Sequence, residues 1–169
     1  MPLFIKFTSR LRYDPSVNAR CPSTSRGFTI LELLIVVAII GIVSAIALPV
    51  VVAAIQRARQ SQTMADMRTI GGALVLYEQD FVDYPTETSL ASIENLRLYL
   101  EQYTGEFKAT DGWGRQYWYI SNGHRYTLIS YGLDGKPDTP YVNGPTHRLE
   151  EDIVMSEGIF VQWPEGVQN

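Results

Sequence analysis

From Phe28 to Ile55 the chain runs for 28 residues with a single charged side chain, Glu32. A segment of that kind must be embedded in lipid or in other protein. As a helix rising about 1.5 Å per residue it reaches roughly 42 Å, against about 30 Å for a bilayer core. Five basic residues (Lys6, Arg10, Arg12, Arg20, Arg26) and one acid, Asp14, precede it. This bias orients the N-terminal side toward the cytoplasm and the rest outward. Two plain readings of the run are an uncleaved signal anchor and a secretory signal cut near Ser44-Ala45-Ile46-Ala47. The apolar character continues through Val50 to Ile55, which favours an anchor.

Beyond the run the chain is polar and acidic. Residues 28–169 carry nine basic and seventeen acidic side chains, a formal charge of -8. An acidic body without a basic patch argues against nucleic acid as the main partner. The only cysteine, Cys21, precedes the apolar run, so no intrachain disulfide can form. Packing or a bound metal has to stabilise the exported part. His124 and His147 are too few and too scattered for a histidine zinc site, and no nucleophile, phosphate-loop or dinucleotide motif is present. Enzymatic activity is not expected.

Glu32 is the anomaly. A lone carboxylate in a membrane helix costs on the order of 2.5–3.5 kcal/mol, so it needs a partner or a task. Nothing else in the run can pair with it. A partner can come from another chain, or from the amine created by cleavage between Gly27 and Phe28, one helical turn earlier.

The stretch Arg26-Gly27-Phe28-Thr29-Ile30-Leu31-Glu32-Leu33-Leu34-Ile35-Val36 resembles the class III signal of type IV pilins and type II secretion pseudopilins. The resemblance implies a prepilin peptidase that cuts after Gly27 and methylates Phe28. It also implies that Glu32 neutralises the new amine of a neighbouring subunit during assembly. Pro49 falls where filament subunits of this kind locally lose helix, and its missing N–H makes a kink credible. The expected organisation is a basic leader (1–27), a transmembrane and assembly segment (28–55) and a periplasmic globular body (56–169). The leader is longer than the short leaders typical of the family.

After Pro49 the helix should continue to about Gln79. Met64, Met67, Ile70, Leu74 and Tyr77 form an apolar stripe at helical spacing, and Gly71-Gly72 allows close packing against a sheet. Thr86 or Ser89 then caps a short amphipathic helix from Leu90 to Tyr103. Asp111-Gly112-Trp113-Gly114 reads as a turn. Tyr117–Ser121 and Arg125–Tyr131 read as strands joined by Asn122-Gly123. A last strand covers Ile159–Trp163. Trp113, Tyr117, Trp118, Tyr119, Tyr126 and Tyr131 are read as sheet packing rather than as a ligand platform. The expected fold is α+β and pilin-like: a long N-terminal helix, its first half transmembrane, packed on a small antiparallel sheet.

Tyr84-Pro85-Thr86, then Asp111-Gly112-Trp113-Gly114 before a Tyr-rich hairpin, then Tyr131-Gly132-Leu133-Asp134-Gly135-Lys136, is similar in order to the major pseudopilins of type II secretion. That resemblance implies a calcium site in residues 132–152, a stretch with no regular structure expected. Asp134, Asp152 and, third, Asp138 are its candidate ligands. Calcium takes six to eight oxygens from carboxylates and carbonyls, which an acidic loop can offer. Pro137, Pro140 and Pro145 stand where glycine is expected. The implied partners are identical subunits in a filament, a prepilin peptidase, and an inner-membrane assembly platform with minor pseudopilins. The implied place is the bacterial inner membrane, single-pass with the body in the periplasm. A type IV pilin for adhesion, motility or DNA uptake and a membrane-tethered monomeric binding module are the rival readings.

Overall fold

The structure is a computed structural model that describes residues 27–105 and 108–166. Most of the basic leader lies outside the described residues. The chain divides into two compact units, one ending at Val43 and one beginning at Ser44.

The first unit contains the start of helix α1 (Ile30–Phe81). Thr29 opens this helix, its hydroxyl accepting from the Glu32 N–H at 3.1 Å. This is one half of a capping box, Thr-x-x-Glu, and it satisfies a donor that the first turn otherwise leaves unpaired. Phe28 and nearly all residues from Ile30 to Ile42 are exposed. α1 is the one helix among the described residues long and apolar enough to cross a membrane, with a mean hydropathy of 3.0 over its most apolar window. It runs through Pro49.

The second unit joins the later part of α1 to a six-stranded sheet of order β1-β2-β3-β5-β6-β4. The strands are β1 (Glu87–Ser92), β2 (Trp118–Ser121), β3 (Tyr126–Ser130), β4 (Gly144–Thr146), β5 (Ile153–Ser156) and β6 (Ile159–Pro164). All pairings are antiparallel except β4 with β6. The expected α+β architecture is therefore present, with a parallel edge strand that the sequence reading lacked.

One face of α1 makes the core. Met64, Met67, Ile70 and Leu74 are buried against Tyr117, Tyr119, Tyr126, Leu128, Ile153 and Met155. Burial alternates along β2, as in a half-buried sheet, whereas β3 and β5 are buried at consecutive positions. Gly71 lies at the tightest approach: a Cβ there would stand 3.1 Å from the Tyr126 hydroxyl and 3.3 Å from Met155 Sδ. Its neighbour Gly72 faces open space. Of the aromatic group, Tyr117, Tyr119 and Tyr126 are core, while Trp118 and Tyr131 pack on each other at 5.8 Å.

Several boundaries differ from expectation. Leu90 to Ser92 is the end of β1, because Ala91 and Ser92 pair with Tyr119 and Trp118. The anticipated helix shrinks to a 3-10 turn (Ile93–Leu96) and one α turn, α2 (Arg97–Leu100). Ser92, rather than Thr86 or Ser89, provides the cap, accepting from Glu94 N at 3.3 Å. The spacing of Ile93, Leu96 and Leu100 still does its work, since all three are buried. Strands β2 and β3 are joined by four residues, 122–125, with Asn122 Oδ1 accepting from the His124 and Arg125 amides. Residues 132–152 contain β4, and β5 had no counterpart in the sequence reading.

Replacing Leu74, fully buried on the α1 face, tests this core. Leu74→Ala should cost about 2–5 kcal/mol of unfolding free energy. Leu98→Ala, at a residue 86% exposed, should stay within about 0.5 kcal/mol of the parent. Urea denaturation of the full chain in detergent micelles measures both.

Candidate functional site

Two places carry the side chains singled out above. At the N-terminus, Gly27 has nothing within 4 Å of where its Cβ would be, and Phe28 is 79% exposed. Glu32 sits in the first turn of α1, and its carboxylate makes no ion pair among the described residues. Its backbone is held by Thr29 while its charge is left open. A peptide bond that is accessible on both sides is what a protease needs. A carboxylate without a partner is what an incoming amine needs.

The second place is the loop between β3 and β5, which is held by a turn on the helix side. In that turn Asp111 is 2% exposed. Its Oδ1 accepts from the Trp113 and Arg115 amides, both at 2.9 Å, and its Oδ2 accepts from Ser130 Oγ at 2.8 Å. A carboxylate with that many donors is a satisfied structural anion. The turn docks on α1 through Gly112 N to Thr63 Oγ1 at 2.9 Å and Trp113 Nε1 to Gln56 Oε1 at 2.7 Å. Residue 112 must be glycine, because a Cβ would run into the Arg59 carbonyl.

From this turn Arg115 reaches across to the loop and donates to the Gly132 carbonyl at 2.5 Å and to the Leu133 carbonyl. Gly132 and Gly135 both have positive φ, 55° and 71°. Their backbone therefore turns as L-residues with side chains seldom do. Asp134 Oδ1 caps this turn by accepting from Lys136 N at 3.0 Å.

Asp138 and Asp152 are brought together. Asp138 N donates to Asp152 Oδ2 at 2.9 Å, and Asp152 N donates to Asp138 Oδ2 at 3.2 Å. Asp152 is fully buried, and its Oδ1 has no hydrogen-bond partner among the described residues. Burial pushes its carboxyl up to about 7. The hydrogen bond from Asp138 N opposes this, and the charges of Asp138 and Asp134 add to it. Asp134, Asp138, Glu150, Glu151 and Gln162, with Arg148 as the one cation among the described residues, border a cleft of about 300 Å³. Glu151 is occupied otherwise, accepting from the His147 and Arg148 amides. Among the described residues no three His, Cys, Asp or Glu side chains converge into a ready metal cluster. Asp138 and Asp152 meet directly, and Asp134 acts on Asp152 through its charge.

A buried carboxylate with an orphan oxygen beside a second carboxylate offers part of the oxygen set that a hard cation takes. Calcium needs further oxygens, and carbonyls and water can supply them. The residues present therefore fit calcium. Sequence reasoning missed Arg115, whose partners lie 17 and 18 positions away. It also missed Gln162, which ties β6 to the loop by donating to the Asp152 carbonyl and accepting from Val142 N. The Thr29 cap was legible as Thr-x-x-Glu and went unread.

Comparison with known proteins bears on both places. The family model described as type II secretion system (T2SS), protein G matches residues 50–145, and the one described as prokaryotic N-terminal methylation motif matches residues 22–48. The chain is 30% identical to the type II secretion system core protein G of Escherichia coli K12 over 130 residues, 71% of this chain and 90% of the relative. The protein of the same name from Dickeya chrysanthemi is 29% identical over 124 residues, 68% of this chain and 81% of the relative. That of Vibrio cholerae is 31% identical over 119 residues, 65% and 82% respectively. No solved structure matches.

The environment of Asp152 predicts a pH dependence in the absence of metal. Its folded-state carboxyl titrates near 7, above the ordinary value of 3.8. Its stabilising contribution is thus fully present below about 3.8 and is lost as pH rises through about 7. With chelator present, the melting temperature should therefore fall more between pH 4 and pH 7 in the parent than in Asp152→Asn. Equal slopes would mean that the burial of this carboxyl is not felt.

Proposed function

Because the chain belongs to the type II secretion system protein G family, we propose that it is a structural subunit of a secretion pseudopilus that polymerises after its leader is removed. The observation that carries this reading is Glu32, an unpaired carboxylate one helical turn after Phe28 in an otherwise uncharged run. A prepilin peptidase cuts between Gly27 and Phe28 and methylates the new amine. The Glu32 of one subunit then neutralises the amine of its neighbour, which sets the register between them. In lipid this pairing offsets a cost on the order of 2.5–3.5 kcal/mol per carboxylate.

Residues 28–55 hold the subunit in the bacterial inner membrane before assembly and bundle in the filament core afterwards. Pro49 leaves one α1 carbonyl without its helical donor and so marks where the helix opens or bends on bundling. The body, residues 56–169, faces the periplasm and forms the filament surface. Identical subunits, the peptidase, an inner-membrane assembly platform and minor pseudopilins are the partners of this cycle. Its work is assembly and disassembly rather than covalent chemistry.

Calcium belongs to the same reading. Asp152 and Asp138 hold it, and Asp134 contributes charge from the adjacent turn. Bound there, it neutralises three acids and ties the loop to β5 and β6, a task that a disulfide performs in other exported proteins. The buried orphan oxygen of Asp152 supports this assignment.

Glu32→Ala tests assembly. Peptide mass spectrometry of the membrane fraction should find the variant beginning at N-methylated Phe28, as in the parent, while cross-linking shows no filament. Normal filaments from Glu32→Ala would refute the role given to that charge. For calcium, thermal melting of the full chain in detergent micelles is the test. A ligand at a hundredfold excess over its Kd stabilises by about 2.7 kcal/mol, a rise of several degrees. That rise should vanish with chelator and in Asp138→Asn; a parent indifferent to calcium would remove the metal from the account.

A further inference from the structure

We propose that Arg115 is a resident cation of the β3–β5 loop, which organises residues 131–136 without metal and leaves only the Asp138–Asp152 half for calcium to order. Arg115 is half-buried, and its guanidinium makes no ion pair among the described residues. Its side-chain hydrogen bonds go to two consecutive backbone carbonyls, those of Gly132 and Leu133. Two carbonyls converging on one positive centre is the arrangement a loop offers to a metal ion. Here a side chain fills it. Both bonds come from Nη1, whose two N–H groups serve the two neighbouring acceptors.

The surroundings are built to admit that side chain. A Cβ on Gly135 would come within 2.6 Å of Arg115 Nε and 2.8 Å of its Cζ, so the missing side chain makes the groove in which the guanidinium lies. Gly132 yields in the same way to the Glu150 and Glu151 carbonyls, which a Cβ would approach to 2.7 Å. At the other end, Arg115 N is fixed by Asp111 Oδ1, and Asp111 is itself anchored to Ser130 at the end of β3. The reach of Arg115 is therefore set from the core. The turn it holds is closed by Gly135 N to Tyr131 O at 3.0 Å and Leu133 N to Leu149 O at 3.1 Å.

The consequence is a division of labour. The carbonyls of Gly132 and Leu133 face a guanidinium, whose positive charge disfavours a calcium ion on the same oxygens. The metal is confined to the side where Asp152 Oδ1 is unpartnered. Arg115 touches no proposed metal ligand, so it is a positioning residue. The second half of the proposal rests on the calcium reading, whereas the first does not.

Hydrogen exchange of the full chain in detergent micelles, read by mass spectrometry, separates the two halves. In chelator, Arg115→Met should raise exchange at the Leu133 and Gly135 amides at least tenfold, with β2 and β3 amides unchanged as the check on folding. Arg115→Lys, which keeps a donor cation, should recover most of the protection. Parent-like exchange at Leu133 and Gly135 in Arg115→Met would overturn the proposal whether or not calcium binds. Added calcium should protect amides at 138–152 in the parent and extend to 132–136 only in Arg115→Met. If calcium already protects 132–136 in the parent, the division of labour is wrong. If calcium changes nothing anywhere, the metal reading fails, while the chelator experiment still decides the role of Arg115.

Discussion

The later half of α1 lies against the sheet, and most of the body is arranged by that contact. The apolar face from Met64 to Leu74 removes its side chains from water against Tyr117, Tyr126, Leu128 and Met155, each burial being worth about 1.5–3 kcal/mol before the entropy of ordering is set against it. Gly71 allows the approach, because any larger residue would meet the Tyr126 hydroxyl and Met155. The polar contacts follow the same surface. Thr63 and Gln56 receive the Asp111 turn, and Asp66 receives Lys108 at 2.9 Å. With helix and sheet held in this way, β3 and β5 are paired and the long loop between them must close on itself.

That closure concentrates negative charge. Asp134, Asp138 and Asp152 come from positions spread over 19 residues of an acidic chain, yet Asp138 and Asp152 share two hydrogen bonds and one of them is fully buried. Burial disfavours the ionised form of Asp152, and the charges of Asp138 and Asp134 add to that. One end of the loop carries Arg115 on its backbone carbonyls; at the other end Arg148 borders the acidic cleft and pairs with Glu150 at 3.5 Å. A body that cannot form a disulfide meets the same loop-closing problem by electrostatics.

Particular elements show which parts were legible. The signal around Gly27, Phe28 and Glu32 could be read because it is local: a glycine, an apolar residue and a glutamate one turn later need no partner from elsewhere in the chain to be recognised. The α1 stripe was legible for a similar reason, since period 3.6 is a property of the segment itself. Leu90–Ser92 was misread as helix because its competitor, pairing with β2, comes from residues 26 or more positions away. Strand β4 was invisible for the same cause. Three residues with a glycine and a proline have no strand signature until β6 lies beside them. Of the three acids singled out in the loop, only Asp138 and Asp152 meet.

The sequence by itself determined the long apolar run, the Gly27-Phe28 motif with its lone Glu32 and the class of fold, because hydropathy, charge and short-range spacing are physical properties that survive without a partner. The tertiary structure decided which acid is buried, which carbonyls Arg115 occupies and where Asp138 meets Asp152. Those outcomes depend on the register of β3, β5 and β6 and on one glycine at the helix–sheet contact. Burial and electrostatic coupling arise only when distant segments share a volume too small for water.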